Sequence, residues 1–419
     1  MADKHHLWIP GEELPLIRPH SLAKHRVIEA YLKRYVEVLT ANPRQPEFCL
    51  TLVDGFAGGG LYRDSQTKER RYGSPLLMLH AMKEAAQNAQ KQRLKEFHLD
   101  VEYFFIENDQ GAYQCLAAAL QDTEFRSLVD DKIKLIHGEF VSQVDPIVER
   151  VEQRGRGKRV IFVLDQFGYS DVPMPALRQI LSQLDNAEII LTFASDSLIN
   201  YLSSNETFQR ILERLGVEIS RGTITTLKQE RNWRRAIQDI LHREIHQRSE
   251  AKYYTPFFIR STDAHRDFWL IHLSGHARAR DVMVGLHWSE NNSFAHYGRP
   301  GLHMLGYDPA ADAKLTRQSS LPVFCFDDTA RGLSIDALLD QLPQRISRHS
   351  DGLPFAEFFA ATTNETPATS EIMKEAIATL CREGIVNVTD KTGIKRRKVG
   401  VQSNSDVLRL SRQKRFITR

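Results

Sequence analysis

The stretch that most constrains the fold is Cys49–Gly60, where an apolar run ends in Asp54 and four glycines follow within six positions. Short apolar runs bounded by glycine are typical of buried strands in a parallel sheet. Glycine lets the backbone turn sharply and approach a ligand closely. Such a strand and turn form the nucleotide crevice of doubly wound α/β folds. The spacing is not G-x-G-x-x-G, so NAD is not expected first. The alternative is a turn that binds nothing.

Composition places the chain among ordinary globular proteins. Its 419 residues predict two or three domains, and it is 42% hydrophobic and 26% charged. No apolar run is long enough to span a bilayer, and residues 1–10 lack a signal-peptide core. Cys49, Cys115, Cys325 and Cys381 are far apart, which favours reduced thiols in the cytoplasm over disulfides or zinc. A net charge of +3 means that nucleic-acid affinity must come from local patches.

The elements around the first strand add further candidates. A helix over residues 21–40 carries Lys24 and His25 in its first turn, either as a solvated pair or facing the crevice. Residues 61–72 are polar and predicted to form a loop. The strand Val101–Ile106 ends in Glu107, in the position of the acid that binds ribose hydroxyls in such folds. An exposed strand-end acid is the alternative for Glu107.

The fourth predicted strand, Val160–Leu164, is continuously apolar and ends at Asp165. This places a carboxylate beside the first glycine turn, where doubly wound sheets bind substrates. The stretch Asp165-Gln166-Phe167 is similar to the D/N-P-P-Y/F/W motif of amino-directed methyltransferases. That resemblance implies that Asp165 accepts hydrogen bonds from an exocyclic amine and that Phe167, or Tyr169, stacks on a flipped base. Gln166 departs from the motif and lacks the rigidity of proline. The alternative for Asp165 is a cap of the next turn.

In the second half of the chain, the sequence pattern predicts a helical segment at about 197–250. It also predicts two late antiparallel strands at one edge of the sheet. From residue 321 the organisation changes to three helices followed by a hairpin of 385–389 with 394–399. This is the pattern of a winged helix. The basic residues of the wing, which can contact phosphate, are Lys395, Arg396, Arg397 and Lys398. The alternative is a solvated face on a domain that binds protein.

Several stretches in this order resemble the three-Cys-motif partner (TcmP) family of bacterial and phage-borne, methyltransferase-like proteins. The matching stretches are Ser21–His25, Asp54–Tyr62, Gly73–Leu76, Phe105–Glu107 and Asp165 with Phe167-Gly168. The family typically has Asp-Pro-Phe-Gly at the fourth strand, and Gln166 replaces that proline. The replacement counts against amino methylation more than against cofactor binding. The resemblance implies S-adenosylmethionine (SAM) as cofactor and a partner protein with a three-cysteine motif. The cofactor-binding residues are then Asp54, Phe56, Ala57, Gly58, Gly60, Glu107 and Glu139 or its neighbour Phe140.

The sequence therefore predicts an α/β protein with a Rossmann-like, doubly wound methyltransferase sheet over residues 1–320, a helical insertion, and a winged helix-turn-helix domain over 321–419. The first hypothesis is a SAM-dependent methyltransferase of base amino groups in DNA or RNA. The second is a catalytically inactive nucleic-acid-binding adaptor for a partner enzyme. A metal-dependent nuclease is a third hypothesis, but no local cluster of acids supports it.

Overall fold

The computed structural model describes residues 8–155, 158–166, 171–193, 206–229, 233–260, 267–289, 295–296 and 324–411. The chain divides into two compact units, Met1–Leu286 and His287–Arg419.

The first unit is built on a seven-stranded sheet. Its strands are β2 (Glu47–Asp54), β5 (His98–Glu107), β6 (Ile133–His137), β7 (Arg159–Leu164), β8 (Asn186–Phe193), β9 (Tyr253–Arg260) and β10 (Asp267–Ser274). They lie in the order β6-β5-β2-β7-β8-β10-β9. The five strands from β6 to β8 are parallel, whereas β10 runs antiparallel to both β8 and β9. The predicted α/β fold class and the antiparallel edge pair are confirmed.

The strand order reverses between β2 and β7, which creates a crevice at their carboxyl ends. Both strands are almost wholly buried, as their continuous apolar sequences predict. Register pairs Asp54 with Val163, so Asp165 follows β7 close to the end of β2. The parallel alignment thus brings two acids that are distant in sequence to one edge of the sheet.

Helices pack on the sheet because their apolar positions recur at helical spacing. Among the residues that the structure describes, the α-helices that begin in this unit are α1 (Pro19–Leu39), α2 (Ser74–Lys91), α3 (Gln110–Gln121), α4 (Phe140–Gln153), α5 (Met174–Gln183), α6 (Glu206–Leu215), α7 (Arg221–Leu227), α8 (Trp233–Ser249) and α9 (Ala277–Ser289). Residues of α4, α5, α6 and α8 share one buried apolar cluster with the sheet. Helices α6 to α8 lie within the predicted helical segment 197–250.

A second, small sheet lies beside the glycine turn. It joins β1 (Leu16–Ile17), β3 (Leu61–Asp64) and β4 (Arg70–Tyr72), with β1 parallel to β3 and β3 antiparallel to β4. The prediction of a loop over 61–72 was therefore wrong. Polar composition suggested a loop, but β1, from the N-terminal arm (residues 8–18), supplies the partner strand.

The described part of the second unit contains three α-helices and two small sheets. Its described elements are β11 (Ala295–His296), β12 (Phe324–Cys325), α10 (Asp328–Ile346), β13 (Leu353–Pro354), α11 (Phe355–Thr362), α12 (Ser370–Arg382), β14 (Val386–Thr389) and β15 (Val407–Leu410). Strand β14 pairs with β15, which also pairs with β13. The predicted second hairpin strand, 394–399, was wrong, since only Lys395 forms a bridge there, to Thr389. Residues 390–406 instead form a long wing between β14 and β15.

A polar network is buried between α1 and the sheet. The Tyr31 hydroxyl donates to Glu188 Oε2, and His272 Nε2 lies 3.0 Å from the same oxygen. All three side chains are at most 5% exposed. Because buried polar groups are costly when unpaired, Glu188 fixes the position of α1 on strands β8 and β10.

We expect Glu188→Ala to lower the free energy of unfolding by about 3–5 kcal/mol, because it leaves Tyr31 and His272 buried without their shared acceptor. Urea denaturation at pH 7 measures the change. The control is Glu152→Ala on the exposed face of α4, expected to change stability by less than about 0.5 kcal/mol. Equal effects of the two variants would contradict a structural role for the network.

Candidate functional site

Asp54 ends β2 as a fully buried carboxyl group. Its Oδ1 accepts the Phe56 amide at 3.1 Å, and its Oδ2 is buried without a donor of good geometry among the described residues. Burial raises the pKa of Asp54 to about 7, and the charges on Asp165 and Glu107 act in the same direction. The Ser74 hydroxyl and the Phe56 amide oppose this rise. The three predicted acids therefore lie within one another's electrostatic field.

Glu107 ends β5 and holds the glycine turn. Its Oε2 accepts the Gly58 amide at 2.7 Å, and its Oε1 accepts the Asp109 amide at 2.7 Å. Gly58 and Gly60 have φ values of 62° and 77°, which favour glycine. Ala57 is buried and its amide donates to Ile106 O at 2.9 Å. The turn is thus tied to the neighbouring strand end by two hydrogen bonds.

Asp165, directly after β7, forms an ion pair with Lys24 from the second turn of α1. The Lys24 Nζ lies 2.6 Å from Oδ1 and 2.9 Å from Oδ2. Burial alone would raise the pKa of Asp165, but the Lys24 ammonium group and neighbouring donors hold it below its usual value. Asp165 is therefore an ionised carboxylate at the crevice. Of the two interpretations of Lys24, the structure supports the crevice-facing one.

His25 and Tyr62 complete this edge of the crevice. His25 is 7% exposed, and its Nδ1 has no hydrogen-bond partner among the described residues. Burial lowers the pKa of His25 to about 4, so the ring is neutral at pH 7. Burial, followed by the charges of Asp165, Asp54 and Glu107, raises the pKa of Tyr62. The sequence analysis did not name Tyr62 as a site residue, because it lies in the stretch 61–72 that was predicted to be a loop.

Gln166 stands where the related motif has proline, and its amide is fixed by the surrounding backbone. Its Oε1 accepts the amides of Asp171 and Val172 at 3.0 and 3.2 Å. Its Nε2 donates to Thr192 O at 3.3 Å, and the side chain is 4% exposed. These three hydrogen bonds restrain the chain after β7, which compensates for the missing proline ring.

The remaining predicted crevice residues have different positions. Phe56 packs partly buried against Phe140, with ring centroids 6.0 Å apart. Phe140 itself is a core residue, whereas Glu139 is exposed at the N-terminus of α4. Phe167 and Tyr169 lie outside the described residues, so their stacking roles stay predictions.

The wing of the second unit is organised around Asp406, which is fully buried. Arg396 Nε donates to its Oδ1 at 3.0 Å, and the Gln402 and Ser403 amides donate to its Oδ2 at 2.8 and 3.0 Å. Burial acts to raise the pKa of Asp406, but Arg396 and the two amides hold it below its usual value. Arg396 therefore shapes the wing.

The other basic residues of the wing, Lys395, Arg397 and Lys398, are exposed. They line a surface cleft of about 360 Å³ together with Asp390, Ile394, Arg396 and Gln402. The wing thus presents three positive side chains to solvent and uses a fourth internally.

No metal centre is supported within the described part of the chain. The candidate group found there is Glu47, Cys49 and Asp100. Asp100 is already paired with Lys132 and Arg154. In that same part of the chain, no helix is long and apolar enough to cross a membrane.

The strand order defines a doubly wound α/β unit with a methyltransferase-like fold, and the helices and wing of the second unit have the arrangement of a winged helix-turn-helix domain. Residues 306–393 match a family model described as a GMT-like wHTH domain. No curated protein matches the sequence.

Similar solved structures have low identity. Protein LPL1258 from Legionella pneumophila, of family DUF519, is 10% identical with a TM-score of 0.34, covering 62% of this chain and 86% of its own. A SAM-dependent methyltransferase from Agrobacterium tumefaciens is 13% identical with a TM-score of 0.30, covering 62% and 64%. The plantazolicin methyltransferase BamL, solved with S-adenosylhomocysteine (SAH), is 10% identical with a TM-score of 0.26, covering 61% and 86%. The fold assignment rests on the strand order rather than on these scores.

We expect Lys24→Met to destabilise the protein more at pH 8 than at pH 5. In the wild type, the lowered pKa of Asp165 contributes stability that is present above the unfolded value of about 3.9 and lost as pH falls. Without Lys24, burial raises the pKa of Asp165 above the unfolded value, so the variant loses stability as pH rises. The expected loss at pH 8 is about 3–5 kcal/mol.

Urea denaturation at both pH values measures this difference. The control is Lys33→Met, which removes another, partly exposed lysine of α1. Lys33 is paired with Glu29 of α1 and with Glu84 of α2. An equal loss at both pH values in Lys24→Met would mean that Lys24 acts through packing alone.

Proposed function

We propose that the protein is a SAM-dependent methyltransferase that acts on a base amino group in nucleic acid, with Asp165 as the acceptor for the amine. The observation that carries this proposal is the convergence of Asp54, Glu107 and ionised Asp165 at the switch point of the sheet. Open α/β sheets bind their ligands at this position. Carboxylates with contrasting pKa shifts in a crevice are typical of functional sites.

The residues present fit the cofactor. SAM, when bound, supplies an electrophilic methyl group. Gly58 and Gly60 give the bare backbone that a close ligand requires, while Phe56 and Ala57 hold the shape of the turn. The free lone pairs of Glu107 suit ribose hydroxyls, and the buried Oδ2 of Asp54 can accept a further donor. In this proposal Glu139 has only a peripheral role, because its side chain is exposed.

Asp165 suits the amine that accepts the methyl group, because its carboxylate is ionised while largely buried. An ionised carboxylate accepts amine N–H bonds and orients the nitrogen lone pair. Lys24 now occupies both oxygens, so the amine must share one of them with Lys24. Phe167 and Tyr169 remain the proposed stacking residues.

For the winged helix we propose nucleic-acid binding through the wing. Exposed Lys395, Arg397 and Lys398 can neutralise phosphates. Helix α12, the structural equivalent of a recognition helix, instead exposes Glu371, which opposes close approach to phosphate, and Glu375, which is paired with Arg331. Phosphate contact is therefore assigned to the wing.

A second candidate is a catalytically inactive adaptor that binds nucleic acid for a partner enzyme. The bidentate pairing of Asp165 with Lys24 favours it, because both carboxylate oxygens are already engaged. The resemblance to TcmP proteins adds a three-Cys-motif protein as the proposed partner. It also adds a cytoplasmic setting in bacteria and a role in phage defence to this proposal.

We expect SAM binding to weaken at least tenfold in Asp54→Ala and Glu107→Ala, because each removes an acceptor at the turn. Isothermal titration calorimetry measures this. In the double variant Lys24→Met/Asp165→Asn, which removes both charges of the pair, we expect SAM binding to persist while methyl transfer vanishes. Transfer of tritiated methyl groups to DNA and RNA measures activity. SAM binding without transfer by the wild type would select the adaptor.

For the wing, we expect the triple variant Lys395→Ala/Arg397→Ala/Lys398→Ala to bind duplex DNA with a weaker salt dependence. The slope of log K against log salt should flatten by up to about 2.7, since each lost phosphate contact contributes about 0.9. Fluorescence anisotropy across a salt series measures the slope. The control, Lys83→Ala/Lys91→Ala/Lys95→Ala, removes the same charge from the exposed surface of the first unit. Identical slopes for both variants would contradict binding through the wing.

A further inference from the structure

The face of the glycine turn is covered by an aromatic side chain from the N-terminal arm. A Cβ at Gly59 would lie 2.1 Å from Cδ1 of Trp8, and one at Gly58 would lie 2.8 Å from its Cη2. Carbon atoms do not approach so closely, so any side chain at these positions would collide with the indole. The bare backbone of the turn is therefore in direct contact with the Trp8 ring.

The indole is held from several sides. Its Nε1 donates to Leu61 O at 3.0 Å, and its ring packs edge-on against Tyr62 with centroids 5.0 Å apart. The Trp8 carbonyl oxygen lies 2.4 Å from where a Cβ at Gly111 would stand. Trp8 thus bridges the turn after β2 and the start of α3, which follows β5.

These are the elements that carry Asp54 and Glu107, the residues assigned to the cofactor. Glu107 Oε2 accepts the amide of Gly58, the same glycine that contacts the indole. Indole and adenine are both flat bicyclic rings with N–H donors at the edge. A surface that accepts one through backbone contact and a carbonyl acceptor has the chemistry to accept the other.

We propose that the Trp8 indole is an internal occupant of the nucleoside part of the cofactor site. An adenosine-containing ligand binds only after residue 8 has left the glycine turn. The inference rests on the proposed function, because it takes the crevice at Asp54 and Glu107 as the cofactor site. The N-terminal arm then acts as an autoinhibitory segment. It lowers the apparent affinity by the fraction of molecules in which the turn is open.

Calorimetry with SAH on the full-length wild type, Trp8→Ala and Trp8→Phe tests the proposal. We expect Trp8→Ala to bind SAH about tenfold more tightly if the turn is open in about a tenth of wild-type molecules, with Trp8→Phe between them. The control is Tyr72→Ala, which removes another aromatic ring of the small sheet, one stacked on His80 at 4.7 Å. Its affinity should equal that of the wild type.

Equal or weaker SAH binding in Trp8→Ala would overturn the proposal, with weaker binding identifying Trp8 as a wall of the site; either result leaves the proposed function standing. Absence of SAH binding in all variants would overturn the proposed cofactor along with it.

A second measurement follows the indole itself. The chain has four tryptophans, so 5-fluorotryptophan labelling should give four ¹⁹F signals, and the one missing in Trp8→Phe belongs to Trp8. We expect saturating SAH to shift that signal toward the position of a solvent-exposed ring. An unchanged Trp8 signal at SAH saturation would show that the ligand and the indole occupy different places, and would overturn the proposal independently of affinity.

Discussion

The crevice depends on the largely buried ion pair between Lys24 and Asp165. A carboxylate at the end of a central strand loses its hydration, and such a charge is tolerated only with a counter-charge or several donors. Lys24 lies 141 residues away in sequence and reaches the strand end from the second turn of α1. Asp54, at the end of the adjacent strand, shows the opposite outcome, because burial without a cation raises its pKa to about 7.

Helix α1 links the crevice to the body of the sheet. Its second turn supplies Lys24 to Asp165, and two turns later Tyr31 donates to Glu188 of the same sheet. The buried network therefore sets the position of the helix from which the cation extends. On the other side of Asp165, the Gln166 amide restrains the chain by hydrogen bonding to Asp171 and Thr192. Helix α1 on one side and Gln166 on the other therefore fix the position of the Asp165 carboxylate.

In both units, some charged groups form internal contacts while similar groups nearby stay accessible. In the wing, Arg396 forms an ion pair with buried Asp406, while Lys395, Arg397 and Lys398 stay exposed. In the crevice, Glu107 holds the Gly58 amide of the glycine turn with Oε2 and the Asp109 amide with Oε1, and each oxygen has a further lone pair. The glycines themselves accept close contact, and in this structure the contact comes from Trp8. The glycine motif thus indicates backbone that another group can contact closely, but it does not determine whether that group is a ligand or a side chain of the same chain.

The sequence by itself determined the parallel core strands, the acids that end them and the three helices of the winged domain. Apolar runs and helical periodicity are local patterns, and parallel strands bring their carboxyl ends to one edge whatever the connections are. Only the tertiary structure decided that Lys24 neutralises Asp165, that β15 pairs with β14, and that Trp8 covers the glycine turn. These contacts join residues tens to more than a hundred positions apart. No local pattern states which cation or ring reaches a given place, because burial and packing of the whole chain make that selection.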